Sequence, residues 1–194
     1  MMKPQEAQWV TDSIKGDQYA FAELVRNYTA QIYNFSYRLC GNVQTAEDVT
    51  QETFIKVWKN LKKYDPKQSF RAWIFTIARN TTTDHLRKKS SIPFSNLDYE
   101  DRGFDETIAS DEEHVEDHFG KIEDVEYFKT LLTHLQSDYQ EVLTLYYQNN
   151  LTFDEIGEVL GKSINTVKSQ HRRALIKLRE LMKDAPNNTY QSYE

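Results

Sequence analysis

Hydroxyl, amide and guanidinium side chains recur at helical spacing in the segment FRAWIFTIARNTTTDHLRKK, residues 70–89. One side of a helix built from this segment carries Thr76, Arg79, Asn80, Thr83 and Arg87. Cations follow a phosphate backbone, and polar or flat side chains hold unstacked bases, so the pattern predicts contact with single-stranded DNA. The alternative is a basic solvated helix whose aromatic residues are core. For Trp73 and Phe75 individually, the core interpretation is favoured.

The segment LTFDEIGEVLGKSINTVKSQHRRALIKL has the pattern of a helix-turn-helix. Thr152 and Glu155 form a capping-box pattern, which predicts a helix beginning at Phe153. Gly161 is placed to end that helix in a left-handed turn, and Ser163 can cap the next helix. Two helices joined by a short glycine-containing turn are typical of this DNA-binding arrangement. Upstream, Ser137 and Gln140 repeat the capping pattern.

The second of these two helices separates into an apolar stripe and a polar face when residues are placed at 100° intervals. The stripe is centred on Val167, Ala174 and Leu178, and His171 points inward as a partly buried core histidine. The candidate DNA-contacting residues are Asn165, Thr166, Lys168, Ser169, Arg172 and Arg173. Because the N-terminal part of such a helix contacts base edges in the major groove, this set is predicted to bind duplex DNA. The alternative is the solvated face of an ordinary bundle helix.

A third segment, TAEDVTQETFIKVWKNLKKY, presents a helix face suited to a protein partner. Thr45 and Asp48 predict the start of the helix, and a broad inner face includes Trp58. The outer face carries Asp48, Gln51, Glu52 and Ile55. An isoleucine among charged and hydrogen-bonding residues at helical spacing indicates a docking surface for a helical partner. The alternative is a solvated face with one stray isoleucine.

These three segments belong to a chain that is predicted to be all-α. Only 4 Pro and 6 Gly occur in 194 residues, and most apolar positions recur at spacings of three and four. The net charge of -6 is segregated, since residues 1–90 carry +5, residues 91–126 carry -11 and residues 127–194 are neutral. A strongly acidic stretch with few branched apolar residues is typical of a flexible linker.

The sequence therefore predicts two small helical domains. The predicted divisions are an N-terminal domain at 1–90, an acidic flexible linker at 91–122, a C-terminal domain at 123–183 and a disordered tail at 184–194. A long flexible linker allows both a compact and an extended arrangement of the domains.

Several classes of function are not expected. No apolar run is long enough to span a membrane and no secretory signal is evident, which predicts a cytoplasmic protein. The one cysteine, Cys40, excludes an internal disulfide. The pair His114 and His118 in HVEDH lacks the order of a zinc-protease motif, so no metal or other cofactor is expected. Because no phosphate-binding loop or nucleophile–base pattern occurs, an enzyme is a poor fit.

The motifs AEDVTQETFIKVWKNL and FRAWIFTIARN, then an acidic gap, then LTFDEIGEVLGKSINTVKS, together resemble the extracytoplasmic-function (group 4) sigma factors of bacterial RNA polymerase. The resemblance covers about residues 18–90 and 123–182. It implies a sigma-2 domain, a sigma-4 domain and a role in transcription initiation. Where the chain has Thr81 and His171, this family usually has aliphatic residues. A stand-alone helix-turn-helix regulator remains the alternative, although such a protein is expected to carry a sensor domain or a dimer interface.

The resemblance also implies roles for individual residues. Asp48, Gln51, Glu52 and Ile55 would dock on the β′ clamp helices of core RNA polymerase. The residues implied in binding the promoter -10 element are Asp65, Lys67, Ser69, Arg71, Thr76, Arg79, Asn80, Thr83 and Arg87. The six polar residues of the second helix-turn-helix helix would bind the -35 element, and their domain would touch the β flap. An anti-sigma factor is an expected further partner, and the acidic linker is hypothesised to discourage DNA binding by the free protein.

Overall fold

The computed structural model describes residues 4–89 and 130–184, which are helical apart from short turns. The helices are α1 (Pro4–Ile14), α2 (Gln18–Cys40), α3 (Val43–Asn60), α4 (Phe70–Lys89), α5 (Ser137–Leu143), α6 (Phe153–Leu160) and α7 (Ile164–Asp184). A 3-10 turn at Leu61–Lys63 follows α3, and a π-helical turn at Thr144–Gln148 follows α5. These two ranges contain no strand, so the prediction of an all-α fold is confirmed.

Other predictions fall on residues that the structure does not describe. The linker at 91–122 and the HVEDH motif lie outside the described residues, as does the tail beyond residue 184. Within residues 4–89 and 130–184, no helix has the length and the apolar run needed to cross a bilayer.

Side-chain caps determine where α2 and α3 begin. The Asp17 carboxylate accepts backbone N–H bonds from Tyr19 and Ala20 at the start of α2. At α3 the Asn42 side chain accepts the N–H of Thr45 at 2.9 Å, and the helix begins at Val43. The prediction that Thr45 starts this helix is therefore wrong. Thr45 lies inside the first turn and is buried, and Asn42 supplies the cap oxygen.

The N-terminal bundle is held by aromatic residues from α2 and α4. Tyr28, Phe35, Phe70 and Phe75 are at most 1% exposed. Phe35 meets Phe75 edge to face with ring centroids 5.3 Å apart, and Tyr28 meets Phe70 at 5.8 Å. Such edge-to-face pairs contribute roughly 0.5–1.5 kcal/mol beyond their burial. The core interpretation of Phe75 is confirmed.

The helix-turn-helix forms as its capping residues predict. The Thr152 N–H donates to Glu155 Oε2 at 2.8 Å, and the Glu155 N–H donates back to Thr152 Oγ1 at 3.3 Å. Gly161 ends α6 with φ +66°, in the left-handed region that glycine adopts without strain. Ser163 Oγ accepts the Thr166 N–H at 3.1 Å, which caps α7.

The start of α5 differs from its prediction. Ser137 is the first residue of the helix rather than its cap. Gln136 occupies the cap position with extended backbone and makes no side-chain cap bond, and Gln140 instead donates to the Leu135 carbonyl at 2.8 Å. The prediction that Ser137 caps α5 is therefore wrong by one position. Gln140, which would complete a capping box with Ser137, bonds the Leu135 carbonyl instead.

The N-terminal and C-terminal halves share one core. Leu145, Leu151 and Ile156 are buried in the same cluster as Phe70 and Ala78 of α4. A second, smaller cluster around Leu143 and Leu178 lies within the C-terminal half. In this arrangement the two predicted domains are packed against each other, with α6 lying along α4.

One glycine is required by the approach of the two helix-turn-helix elements. A Cβ on Gly157 would lie 2.8 Å from the backbone carbonyl oxygen of Lys162. Gly157→Ala is expected to lower the free energy of unfolding by about 1–3 kcal/mol, because backbone must move to accommodate the methyl group. Urea denaturation followed by circular dichroism measures this loss. Glu158→Ala, at an exposed position of the same helix, is the control and should change stability by less than about 0.5 kcal/mol. Equal stability of Gly157→Ala and the wild type would contradict this account.

The buried imidazole of His171 makes stability depend on pH. The imidazole is 4% exposed. Its ring centroid lies 4.8 Å from that of Tyr146, 5.6 Å from that of Tyr147 and 5.1 Å from that of Phe153. Its Nε2 has no hydrogen bond. Burial lowers the pKa of His171 to about 4. Between pH 6.5 and pH 4 the His171 imidazole is protonated in the unfolded chain but stays neutral in the folded chain. The free energy of unfolding therefore falls as the pH drops through this range.

This histidine effect can be isolated by substitution. Unfolding free energies of the wild type and His171→Leu are measured across that pH range. The difference between the two proteins is expected to widen in favour of the leucine variant by up to about 3 kcal/mol. A constant difference from pH 7 to pH 4 would show that the buried imidazole does not titrate as described.

Candidate partner and nucleic-acid interfaces

The outer face of α3 presents the four predicted docking residues together. Asp48, Gln51 and Ile55 are exposed and Glu52 is partly exposed. Ile55 keeps 53% of its surface accessible, which is unusual for a branched apolar side chain. The predicted combination of one apolar and three polar groups on one face is therefore present in the fold.

An apolar groove adjoins this face. It encloses about 410 Å³ and is lined by Gln18, Phe21, Phe54, Ile55, Trp58 and Lys59. Trp58 was predicted on the inner face of α3, but it is 39% exposed and stacks obliquely on Phe21 with ring centroids 4.7 Å apart. The apolar arc of α3 is wider than the core can cover, so its edge forms the groove. Periodicity within α3 could not reveal Phe21, which comes from α2.

Two side chains hold the Glu52 carboxylate. Lys56 Nζ lies 2.8 Å from Oε1 and His85 Nε2 lies 2.7 Å from Oε2. Lys56 also donates to Thr81 Oγ1 at 3.1 Å. The hydrogen bonds from Lys56 and His85 lower the pKa of Glu52 to about 2. Glu52 is therefore an anion throughout the neutral range, and a cluster of polar side chains joins α3 to α4 where they pack.

The candidate residues of α4 and its preceding loop lie along one side of the N-terminal bundle. Asp65, Lys67, Asn80 and Arg87 are exposed, whereas Ser69, Arg71, Thr76, Arg79 and Thr83 are partly buried. In the loop, the Asp65 carboxylate accepts the Lys67 N–H at 3.0 Å. Thr76 and Thr83 donate their hydroxyls to the carbonyls of Ala72 and Arg79 in the turn before. Their oxygen atoms still have acceptor capacity toward a ligand.

Trp73 is half-buried beside this surface. Its ring centroid lies 5.0 Å from that of Tyr64 and 5.7 Å from that of Phe70. The core interpretation favoured for this tryptophan is confirmed in that its ring packs on the bundle core.

The C-terminal half covers part of the candidate DNA-binding surface. Arg79 Nε lies 3.1 Å from Glu141 Oε1, and Ser69 donates to Glu155 Oε1 at 2.5 Å. Arg71 donates to the backbone carbonyls of Asn149 and Asn150 at 3.2 and 3.4 Å. Three of the nine predicted -10 residues, Ser69, Arg71 and Arg79, are thus engaged by groups of the C-terminal half.

The partner of Arg79 is itself largely buried. Glu141 is 8% exposed, and burial raises the pKa of Glu141 while the Arg79 guanidinium opposes that rise. Neither Glu141 nor the carbonyl of Asn149 was singled out from the sequence, and Glu155 was assigned only its capping role. These residues lie 62, 78 and 86 positions from their partners, a distance at which helical periodicity gives no signal.

The predicted DNA-contacting face of α7 is accessible at its N-terminal end. Asn165, Lys168 and Ser169 are exposed, and Thr166, Arg172 and Arg173 are partly buried. Val167, Ala174, Leu178 and His171 are buried, as the stripe predicts. Thr166 also takes part in the helix cap. Its N–H donates to Ser163 Oγ, and its hydroxyl is hydrogen-bonded to the Ser163 hydroxyl.

A polar cluster that the sequence did not indicate joins this motif to α5. Lys162 Nζ lies 2.6 Å from Asp138 Oδ2 and 3.2 Å from Gln170 Oε1. Gln170 Nε2 donates to the same Asp138 oxygen at 3.2 Å. Over the described ranges 4–89 and 130–184, no three His, Cys, Asp or Glu side chains are grouped to hold a metal ion.

Comparison with known proteins bears on both halves of the chain. Residues 24–92 match the family Sigma-70 region 2, and residues 126–178 match Sigma-70, region 4. The chain is 36% identical over 175 residues to the ECF RNA polymerase sigma factor SigW of Bacillus subtilis, with 88% of this chain and 92% of SigW covered. It is 32% identical over 182 residues to the ECF RNA polymerase sigma factor SigE of Mycolicibacterium smegmatis, with 91% and 68% covered.

Solved structures share the fold. CnrH in complex with the cytosolic domain of CnrY matches with a TM-score of 0.67 at 22% identity, covering 93% of this chain and 99% of CnrH. The sigma factor RpoE in complex with the anti-sigma factor NepR from Bartonella quintana matches with a TM-score of 0.62 at 23% identity, covering 84% and 97%. At these identities the likeness establishes the arrangement of helices.

Proposed function

The chain belongs to the extracytoplasmic-function sigma factors of the sigma-70 family, and we propose how its two halves divide the work of transcription initiation. Residues 1–90 act as the sigma-2 domain, residues 123–183 act as the sigma-4 domain, and residues 91–122 link them. The protein supplies promoter recognition and performs no chemistry of its own, since the core polymerase catalyses synthesis. It acts in the cytoplasm, where polymerase and promoter DNA meet.

The outer face of α3 is the proposed contact with the β′ clamp helices. Ile55 and Trp58 expose apolar surface in the groove, and Asp48 and Glu52 place carboxylates on the same helix. A central apolar anchor inside a polar rim is the arrangement that concentrates binding energy at protein interfaces. This accessible face is the single observation that carries the proposal of polymerase docking.

The proposed DNA contacts lie on α4 and α7. The separated -10 strand would be held by nine residues of α4 and the loop before it. They are Asp65, Lys67, Ser69, Arg71, Thr76, Arg79, Asn80, Thr83 and Arg87. The N-terminal end of α7 would enter the major groove at the -35 element with Asn165, Thr166, Lys168, Ser169, Arg172 and Arg173. Each domain needs only modest affinity, because binding to one polymerase raises the effective concentration of both at the promoter.

The contacts between the two halves support the proposal that α4 is uncovered before it binds DNA. Glu141 and Glu155 place carboxylate oxygens against Arg79 and Ser69, where phosphate or base acceptors of a DNA strand would lie. The docking face on α3 stays accessible in the same arrangement. We therefore propose that polymerase first contacts the closed chain through α3, and that the C-terminal half separates from α4 as the polymerase complex forms, before the -10 strand binds.

An anti-sigma factor is a further proposed partner. The related fold of RpoE is known in complex with the anti-sigma factor NepR. A protein that held the closed arrangement, or covered the α3 face, would keep this chain from the promoter.

Removing the polar part of the docking face tests the polymerase contact. Asp48→Ala/Gln51→Ala is expected to weaken binding to bacterial core RNA polymerase at least tenfold, because the lost hydrogen bonds leave partner groups unpaired at a cost of roughly 1–3 kcal/mol. Protein-dependent transcription from a promoter library should fall in parallel. Gln8→Ala/Asp12→Ala removes the same side-chain types from the surface of α1 and serves as the control. Undiminished transcription by the α3 variant, or tight duplex binding without polymerase, would instead favour a stand-alone regulator.

Neutralising the buried carboxylate tests the cover over α4. Glu141→Gln is expected to raise the affinity of the free chain for a single-stranded -10 oligonucleotide about three- to tenfold, because Arg79 loses its charged partner. Fluorescence anisotropy with a labelled oligonucleotide measures this. Asp154→Asn removes one charge from an exposed position of the C-terminal half and controls for the general change in electrostatics. Equal affinities for the wild type and Glu141→Gln would contradict the proposed cover.

A further inference from the structure

We infer that His85 is a positioning residue for polymerase binding, which fixes the Glu52 carboxylate in the orientation that α3 presents to the polymerase. The inference deepens the proposed function, since it rests on Glu52 being part of the docking face. His85 comes from α4, the helix proposed to hold the -10 strand.

The geometry fixes both oxygens of the carboxylate. His85 Nε2 lies 2.7 Å from Oε2, and Lys56 Nζ lies 2.8 Å from Oε1. Lys56 reaches across to Thr81 of α4 at 3.1 Å, and Thr81 donates its own hydroxyl to the Ile77 carbonyl at 2.8 Å. Glu52 is therefore tied to α4 by one direct hydrogen bond and by a second route through Lys56.

The carboxylate remains available to a partner. The side chain of Glu52 is 38% exposed, while that of His85 is 20% exposed. Each carboxylate oxygen accepts more than one hydrogen bond, so a cationic or N–H donor of the polymerase can still bind. Because Glu52 is ionised at neutral pH, it only accepts, and the hydrogen at this contact lies on His85 Nε2.

His85 has two opposing effects on the affinity for polymerase, and their relative sizes decide whether it strengthens or weakens binding. An unrestrained glutamate on a helix surface loses rotamer freedom when a partner binds it, which costs roughly 0.5–1.5 kcal/mol per immobilised side chain. The bonds from His85 and Lys56 have already ordered Glu52 in the free protein. Against this, a hydrogen-bond donor near the carboxylate competes with the partner. That competition is small while the remaining lone pairs face solvent, so the ordering effect dominates.

The position of His85 on α4 gives the contact a wider consequence. Thr81 is fully buried and His85 is partly buried, so the polar cluster lies in the packing between α3 and α4. A displacement of α4 along α3 would move the carboxylate on the docking face. The helix that would hold the promoter strand thereby sets one of the contacts to the polymerase.

A double-mutant cycle tests the inference. Dissociation constants for bacterial core RNA polymerase are measured for the full chain and for His85→Leu, Glu52→Ala and the double variant. His85→Leu is expected to weaken binding about three- to tenfold. In the Glu52→Ala background the same substitution is expected to have less than a twofold effect, because its target is gone.

Three controls separate positioning from folding. His85→Gln retains an N–H donor and is expected to bind within twofold of the wild type. His134→Leu makes the same substitution at an exposed histidine of the C-terminal half and is expected to leave binding unchanged. His85→Met, also without a donor, repeats the measurement should the leucine variant lose its cooperative thermal transition.

Each other outcome overturns the inference. An equal loss from His85→Leu in both backgrounds would show that His85 does not act through Glu52. A loss with Glu52→Ala but none with either donor-free variant would leave Glu52 in the docking face and remove His85 from it. No loss with Glu52→Ala would remove Glu52 itself from the docking face, and the inference would fail with that part of the proposed function.

Discussion

The contact between Arg79 and Glu141 determines what the described arrangement of this sigma factor can do. Glu141 is 8% exposed, and a carboxylate that is removed from water is stable only with a charged or hydrogen-bonding partner. Arg79 supplies that partner from the helix proposed to bind the promoter strand. Glu141 occupies the Nε and Nη2 donors of Arg79, which leaves fewer donors for a DNA phosphate. We therefore propose that closure of the two halves competes with strand binding.

Separating the halves has a cost beyond the ion pair. Leu151 and Ile156 are at most 2% exposed in a cluster shared with α4, and each such side chain contributes up to about 1.5–3 kcal/mol when it leaves water. The DNA strand offers little apolar surface in exchange. We expect polymerase binding to offset this cost, because the α3 face and the adjoining groove remain accessible while α4 is covered. The charge distribution is consistent with closure in the free protein. Residues 1–90 carry a net charge of +5, and Glu141 of the C-terminal half lies against Arg79 of this basic half.

Local sequence rules predicted the parts of the fold that depend on neighbouring residues. The Thr152 capping box, the left-handed Gly161 and the buried position of His171 follow from spacing along single helices. The rules failed at Thr45 and Ser137, where a nearby residue took the cap position. Trp58 was misplaced because a wide apolar arc does not reveal how much of it the core covers. The contacts of Ser69 with Glu155 and of His85 with Glu52 join separate helices, so no periodicity could have indicated them.

Separation of the two halves on polymerase binding is the central claim, and energy transfer between dyes on the two halves measures it directly. Dyes on Asn34→Cys in α2 and Glu180→Cys in α7, with Cys40 replaced by serine, would report their separation in the full chain. We predict efficient transfer in the free protein and a marked fall when core polymerase is added, before or together with promoter DNA. Unchanged transfer in a complex that initiates transcription would contradict the account.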